Sequence, residues 1–143
     1  RKMPDKPNIQ TFFNDLNKDT LHLVDEFYDK EIEFHDPVVN VKGVDQMRKY
    51  YENLYQHVKS IRFEFSDEVV DGDTHAAAWK MILVSGLNKG QPTELYGISH
   101  IKFGGLENKA IYHRDYFDMG EYIYEQIPIL KWIIQKIKNK LKA

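Results

Sequence analysis

The chain of 143 residues contains no cysteine. This absence excludes a disulfide framework, a catalytic thiolate and a zinc site with thiolate ligands, and it fits a reducing compartment such as the cytoplasm. No apolar run approaches the roughly 18 residues that a transmembrane helix needs, and no signal-peptide pattern opens the sequence. The remaining composition, with 42% hydrophobic and 29% charged residues, is typical of one folded domain.

Positive charge is concentrated at one end of the sequence. Residues 131–143 carry five Lys and no acidic residue, which leaves 15 basic and 22 acidic residues, a net charge of −7, in the rest of the chain. A body this acidic is not expected to bind nucleic acid. Residues 120–143 form a tail that we predict to be helical from Tyr122 to Leu141, on both sides of a break at Pro128.

This basic, amphipathic tail contains Trp132 and can therefore be interpreted in two ways. Such a helix can lie on an anionic membrane. It can also pack its apolar face on its own domain or on a twin subunit. We favour packing, because surface helices of globular proteins commonly show this pattern.

Three helices are predicted before the longest strands. Apolar residues at helical spacing predict two short helices, one beginning at Ile9 and one over Leu21–Tyr28. Apolar residues that recur every three and four positions predict a third helix from Val44 to about His57. Between the second and third helices, alternation predicts a short strand over Glu31–His35, which ends at Asp36-Pro37.

Alternating polar and apolar residues predict four long strands between residues 59 and 118. The second is expected over Thr74–Ser85, the third over Thr93–Phe103 and the fourth over Lys109–Phe117. Turn residues separate the strands, which predicts an antiparallel meander. The predicted fold class is therefore α+β: a curved antiparallel sheet, covered by three helices, that leaves a ligand cavity at its open end.

Two segments, EIEFHDP…VKGVDQMRKYYENL and KAIYHRDYFDMGE, carry a family resemblance. Together with the element order and Trp79 in mid-strand, they resemble the nuclear transport factor 2-like superfamily, and within it the SnoaL-like polyketide cyclase and ketosteroid isomerase branch. The resemblance covers roughly residues 9–118. It implies a single cone-shaped domain over residues 1–143, an apolar pocket for a small ligand, a homodimer and no cofactor. Because such a fold carries many activities, function has to be argued from the site.

His113 and Asp115 lie two residues apart on the last predicted strand, so their side chains share one face. We predict that they form an acid–base pair in which the carboxylate orients the imidazole. In the cyclases of the family, an acidic residue on this strand acts as acid or base. Alternation assigns two faces without saying which one lies inside, so an exposed polar face is the alternative.

Asp36 is a candidate second carboxylate, since the resemblance places the general base of ketosteroid isomerases near this part of the fold. The competing interpretation, which we favour, is that it initiates a turn before Pro37. Tyr51 lies on the apolar stripe of the third helix and is predicted to stabilise a ligand oxygen. The remaining candidates are ligand-binding residues on that helix and on the strands: Tyr55, Trp79, Met81 and His100.

The spacing of His, Asp and Glu matches no metal-binding motif, so no metal site is predicted. Two functions remain. The first is a cofactor-free acid–base isomerase or cyclase that acts on an apolar carbonyl compound. The second is a non-catalytic ligand-binding or dimerisation module whose basic tail docks on a partner or a membrane. The sequence does not decide whether there is any turnover.

Overall fold

A computed structural model describes residues 3–86, 89–118 and 128–142. The helices are α1 (Ile9–Asp15), α2 (Leu23–Phe27), α3 (Val44–His57) and α4 (Pro128–Lys142). The strands are β1 (Tyr28–His35), β2 (Asn40–Lys42), β3 (Val58–Asp71), β4 (Thr74–Ser85), β5 (Pro92–Gly104) and β6 (Lys109–Phe117). This order confirms the α+β fold class, with α4 added after the sheet.

The six strands form one curved, open sheet in the order β2-β1-β6-β5-β4-β3. The predicted meander is confirmed, because β3 to β6 pair antiparallel with their neighbours in the sequence. The sheet is not antiparallel throughout, since β1 pairs with β6 in parallel. The short strand β2 was not predicted; it pairs antiparallel with β1 directly after the turn at Asp36.

Several elements have the predicted bounds and others do not. The predictions for α3, β4 and β6 are confirmed. The second helix is shorter than predicted, because Tyr28 adopts an extended backbone and begins β1. The tail helix is described only from Pro128, and the predicted helical residues before it, 122–127, lie outside the described residues.

The three early helices cover one face of the sheet, which we call the inner face. Along β4, buried side chains alternate with partly exposed ones, and the buried set is Ala77, Trp79, Met81, Leu83 and Ser85. The aromatic side chains of α1 and α2 pack against this layer, where Phe12 and Phe27 stack with ring centroids 4.1 Å apart. Removal of this apolar surface from water is the main force that holds the helices on the sheet.

An extra residue in β6 decides which of its side chains reach the inner face. Tyr112 is paired with Lys102 and Ala110 with the next residue of β5, so Ile111 has no partner in that strand. A β-bulge of this kind shifts the alternation by one residue. As a result Ala110 and His113 are both buried on the inner face. Unbroken alternation from Ala110 would have turned Tyr112 inward and His113 outward.

Four apolar side chains of α4 are exposed in the single chain: Trp132, Ile133, Ile137 and Leu141. They do not pack on the described part of the domain, although Lys138 Nζ lies 3.8 Å from Asp118 Oδ2. The predicted alternative, that this face packs on a twin subunit, stays a prediction. Within the described ranges, no helix combines the length and apolar character needed to cross a membrane.

Candidate functional site

A cavity of about 280 Å³ lies between the inner face of the sheet and helices α1 and α3. Its wall is mostly aromatic and aliphatic, and among the described residues the only charged or ionisable groups that line it, besides tyrosine, are Asp36, His113 and Asp115. This volume is near the lower end of typical ligand pockets, about 300 Å³. The cavity is therefore suited to a molecule of one or two rings.

The cavity brings together seven of the eight residues that were selected from the sequence. They are Asp36, Tyr51, Tyr55, Trp79, Met81, His113 and Asp115. His100 does not line the cavity. It pairs with Arg114 in the β5–β6 ladder, and its ring contacts Tyr112 on the outer face. Because side chains alternate along β5, the inward position belongs to its neighbour, Ser99, which is fully buried.

Asp115 is held at the cavity by two groups on the same carboxylate oxygen. His113 Nε2 lies 2.7 Å from Asp115 Oδ1, and Ser99 donates its hydroxyl to that oxygen at 2.5 Å. Trp79 in turn donates its indole N–H to Ser99 Oγ at 2.9 Å. The side chain of His113 is 1% exposed and that of Asp115 is 19% exposed. The bonds to Oδ1 therefore fix the orientation of the carboxylate, which remains partly exposed at the cavity.

The second ring nitrogen of His113 is also occupied. Its Nδ1 lies 2.8 Å from the hydroxyl of Tyr28, which lies 3.0 Å from the hydroxyl of Tyr51. When Asp115 is ionised and His113 is neutral, Nε2 donates to the carboxylate and Nδ1 accepts from Tyr28. The oxygen of Tyr28 then receives the proton of Tyr51. Burial raises the pKa of the hydroxyls of Tyr28 and Tyr51, so both stay protonated and act as donors in this series of hydrogen bonds.

Asp36 forms the turn that the sequence favoured and also lines the cavity. Its Oδ1 accepts the backbone N–H groups of Val38 and Val39 at 2.7 and 2.8 Å, as a turn former does. Its Oδ2 accepts the hydroxyl of Tyr50 at 2.9 Å, and the side chain also lines the cavity. Burial, followed by the charge of Asp36, raises the pKa of Tyr50 well above its ordinary value.

The indole of Trp79 forms one wall of the cavity and depends on a glycine in the next strand. Gly97 is the direct partner of Trp79 in the β4–β5 ladder. A Cβ atom at Gly97 would lie 2.3 Å from Cη2 of the indole. No side chain can therefore replace the hydrogen of Gly97 unless the ring moves.

Sequence reasoning missed four residues of the site: Tyr28, Tyr50, Ser99 and Gly97. Two of them carried a usable signal, because Gly97 and Ser99 share one face of β5 by simple alternation. Tyr50 stood next to a selected residue but outside the apolar stripe of α3. Tyr28 had no local signal, since its partner His113 is 85 residues away.

A metal centre finds no support in the described part of the chain. Across residues 3–86, 89–118 and 128–142, no group of three or more His, Asp or Glu side chains is placed to hold a metal ion. The side chains that face the cavity are instead suited to hydrogen bonding and proton transfer.

Comparisons with solved structures identify the same fold. A nuclear transport factor 2-like protein of unknown function from Burkholderia pseudomallei has a TM-score of 0.65 and 14% identity, over 73% of this chain and 83% of that one. A protein with ketosteroid isomerase-like fold from Catenulispora acidiphila, in complex with trimethylamine, has a TM-score of 0.66 and 10% identity, over 81% and 85%.

A third neighbour, TerC co-crystallised with polyporic acid, has a TM-score of 0.67 and 13% identity, over 80% of this chain and 90% of that one. These identities are low, so they establish the fold alone. No curated protein matches the chain. The model of one protein family, the SnoaL-like domain, matches residues 9–113, which is most of the chain. The resemblance inferred from the sequence is thereby confirmed, and the chain belongs to the SnoaL-like domain family.

Proposed function

We propose that the domain binds a small apolar carbonyl compound in this cavity and isomerises or cyclises it by proton transfer through Asp115. The observation that carries the proposal is the placement of the carboxylate. Oδ1 is held by Ser99 and His113, while Oδ2 has no hydrogen-bond partner among the described residues. An oriented carboxylate in an apolar cavity is a suitable general base for a proton next to a carbonyl group. Such a step needs no cofactor.

In this proposal His113 and Asp115 have separate roles. Both ring nitrogens of His113 are occupied, by Asp115 and Tyr28, and its side chain is buried. The imidazole therefore positions the carboxylate and does not touch the substrate. Asp115 takes the proton from carbon on its free oxygen and returns it at another position of the same molecule. The buried bonds to Oδ1 keep the carboxylate in one orientation throughout.

Tyr51 is the donor proposed for the substrate oxygen. Tyr51 lines the cavity, and its hydroxyl lies 3.0 Å from that of Tyr28. The Tyr51 hydroxyl can turn toward a developing enolate oxygen. If His113 carries a second proton, Nδ1 donates to Tyr28 and Tyr28 donates to Tyr51, which leaves the proton of Tyr51 for the substrate. Trp79, Met81 and Tyr55 form the wall against which the apolar body of the ligand packs.

Hydrogen–deuterium exchange tests the proposal without knowledge of the natural substrate. We expect the protein to accelerate exchange of the α-protons of 2-tetralone in D2O, followed by proton NMR. Asp115→Asn keeps the shape and the acceptor for Ser99 but removes the base, so the acceleration should fall by about 10²-fold or more. Asp67→Asn, which removes the same charge from an exposed position on β3, is the matched control.

An unchanged exchange rate in Asp115→Asn would refute the catalytic role. It would favour the second function, a non-catalytic ligand-binding module. One observation supports that alternative: the exposed apolar stripe of α4, with Trp132 and Leu141, offers a surface through which the basic tail can dock on a twin subunit, another partner or a membrane.

A further inference from the structure

We propose that the cavity selects an organic cation, so that its ligand is an apolar molecule that carries an ammonium group. The inference deepens the proposed function, because it names the chemical class of the substrate for the same cavity. It is carried by three features of the cavity wall: the use of its hydrogen-bond donors, the sign of its charge and its aromatic surface.

The hydrogen-bond donors around the cavity are already engaged with protein acceptors. Tyr50 donates to Asp36, Tyr55 donates to the carbonyl oxygen of Leu16 at 3.1 Å, and Trp79 donates to Ser99. With His113 neutral, the proton of Tyr51 is directed to Tyr28, so Tyr51 can donate to a ligand oxygen only by giving up that bond. The polar atoms left for a ligand are therefore mostly acceptors, namely carboxylate and phenolic oxygens. A ligand that brings its own donors or a positive charge matches this arrangement.

The charge of the wall has one sign. Asp36 and Asp115 both line the cavity, and no Lys or Arg among the described residues lines it. Neither carboxylate forms a salt bridge with Lys or Arg within the described residues. An anionic ligand would meet two like charges in a poorly solvated space. A cationic ligand would supply the counter-charge that the wall lacks.

The same two carboxylates act on the tyrosines of the wall. The pKa values of Tyr50 and Tyr51 are raised first by burial and then in part by the negative charge of Asp36 and Asp115. A field that opposes the formation of phenolate in the cavity attracts a positive charge to the same place.

The aromatic surface adds a second attraction for a cation. Phe13, Phe34, Phe63 and Trp79 line the cavity together with the three tyrosines. The faces of aromatic rings attract ammonium groups, and several rings around one space form the cages that bind quaternary ammonium ligands. The rings also accept the apolar part of the ligand. The wall thus combines two carboxylates with a set of aromatic side chains.

Three probes of similar shape test the inference. They are benzyltrimethylammonium, which is cationic, neopentylbenzene, which is neutral, and benzylsulfonate, which is anionic. Binding is followed in the full chain by NMR shifts of the Trp79 indole N–H and the Met81 methyl group, which both belong to cavity residues. We expect the cation to bind at least about tenfold more tightly than the neutral probe, and the anion to bind most weakly.

Two isosteric variants assign the effect to the carboxylates. Asp36→Asn and Asp115→Asn each remove one charge. Asn at position 115 keeps an acceptor oxygen for Ser99 and His113, whereas Asn at position 36 keeps one for the backbone N–H groups of Val38 and Val39 but not for the hydroxyl of Tyr50. Each should weaken binding of the cation by about tenfold and leave the neutral probe unchanged. Asp67→Asn, outside the cavity, should change neither affinity. This contrast separates a local charge effect from a change in net charge.

The outcomes also separate this inference from the proposed function. Binding of the neutral probe or the anion as tightly as the cation, or a cation that leaves the cavity resonances unshifted, would overturn it, even if exchange of 2-tetralone still depended on Asp115. Selective binding of the cation would support it, including in a protein that catalyses no exchange.

Discussion

Replacement of Gly97 by Ala should displace the Trp79 indole and disturb the cavity wall from behind. The ideal Cβ position lies 2.3 Å from Cη2, 2.7 Å from Cζ3 and 2.8 Å from Cζ2 of the ring. All three distances are far below van der Waals contact. Because the two residues are direct partners in the ladder, the clash cannot be relieved by a small rotation of either strand alone.

The size of the effect follows from three contributions. Overpacking in a well-filled core costs about 1–3 kcal/mol. A shift of the indole also breaks the Trp79–Ser99 hydrogen bond at 2.9 Å, at about 1 kcal/mol. Replacement of Gly by Ala in an ordinary backbone conformation returns about 0.5 kcal/mol by restricting the unfolded chain. The expected net loss in the free energy of unfolding is about 1.5–3.5 kcal/mol.

Urea unfolding followed by far-ultraviolet circular dichroism measures this loss without relying on indole fluorescence. Gly86→Ala is the matched control, because a Cβ there meets nothing within 4 Å. Trp79→Phe removes the ring atoms that clash, so Gly97→Ala should cost little in that background. A double-mutant cycle should therefore give a coupling of about 2 kcal/mol. Additive effects of the two substitutions, or equal effects at Gly97 and Gly86, would refute the reasoning.

Two further predictions concern the buried network and the acid stability of the domain. Tyr28→Phe leaves Nδ1 of His113 without its buried hydrogen-bond partner, so the free energy of unfolding should fall by about 1–3 kcal/mol. Nitrogen NMR of the imidazole should report the lost hydrogen bond. Tyr116→Phe, on the exposed face, should change neither the stability nor the imidazole spectrum. Arg48 lowers the pKa of Asp25 below 3.8, first by its hydrogen bonds and then by its charge. The Arg48–Asp25 pair contributes its full stabilisation above the pKa that Asp25 has in the unfolded chain. This stabilisation is lost as the pH falls through the lower pKa that Asp25 has in the folded chain. The free energies of unfolding of wild type and Arg48→Met, measured by urea titration, should therefore differ most near neutral pH and converge below pH 3.8. A difference that stays constant with pH would contradict the linkage.

Elements with strong local periodicity were predictable from the sequence. Helix α3 and strand β4 have the predicted bounds, because each buries one face and its apolar residues repeat with the period of that face. Strand β1 was placed too late in the sequence. Tyr28 continues the helical spacing of Val24 and Phe27, but its backbone is extended and pairs with Ala110 of the distant strand β6.

The inner face of β6 was not predictable, although the pairing of His113 with Asp115 on one face was. The bulge at Ile111 determines that this face lies inside, and a bulge is set by pairing with β5 rather than by the local sequence. His100, a predicted ligand-binding residue, lies on the outer face, because side chains alternate along β5. Ser99, with the less conspicuous side chain, occupies the inward position.

The parallel pairing of β1 with β6 has a kinetic consequence. The meander from β3 to β6 closes through successive hairpins between neighbouring segments, whereas the Tyr28–His113 contact spans 85 residues. Contacts with such long sequence separation carry a larger cost of loop closure and slow the folding of a chain. We therefore expect β1 to dock after the meander has formed. In an intermediate of this kind, Asp115 would already be paired with Ser99 while the cavity still lacked Phe34 and the support of Tyr28, so the ability to bind ligand would mark the completion of folding.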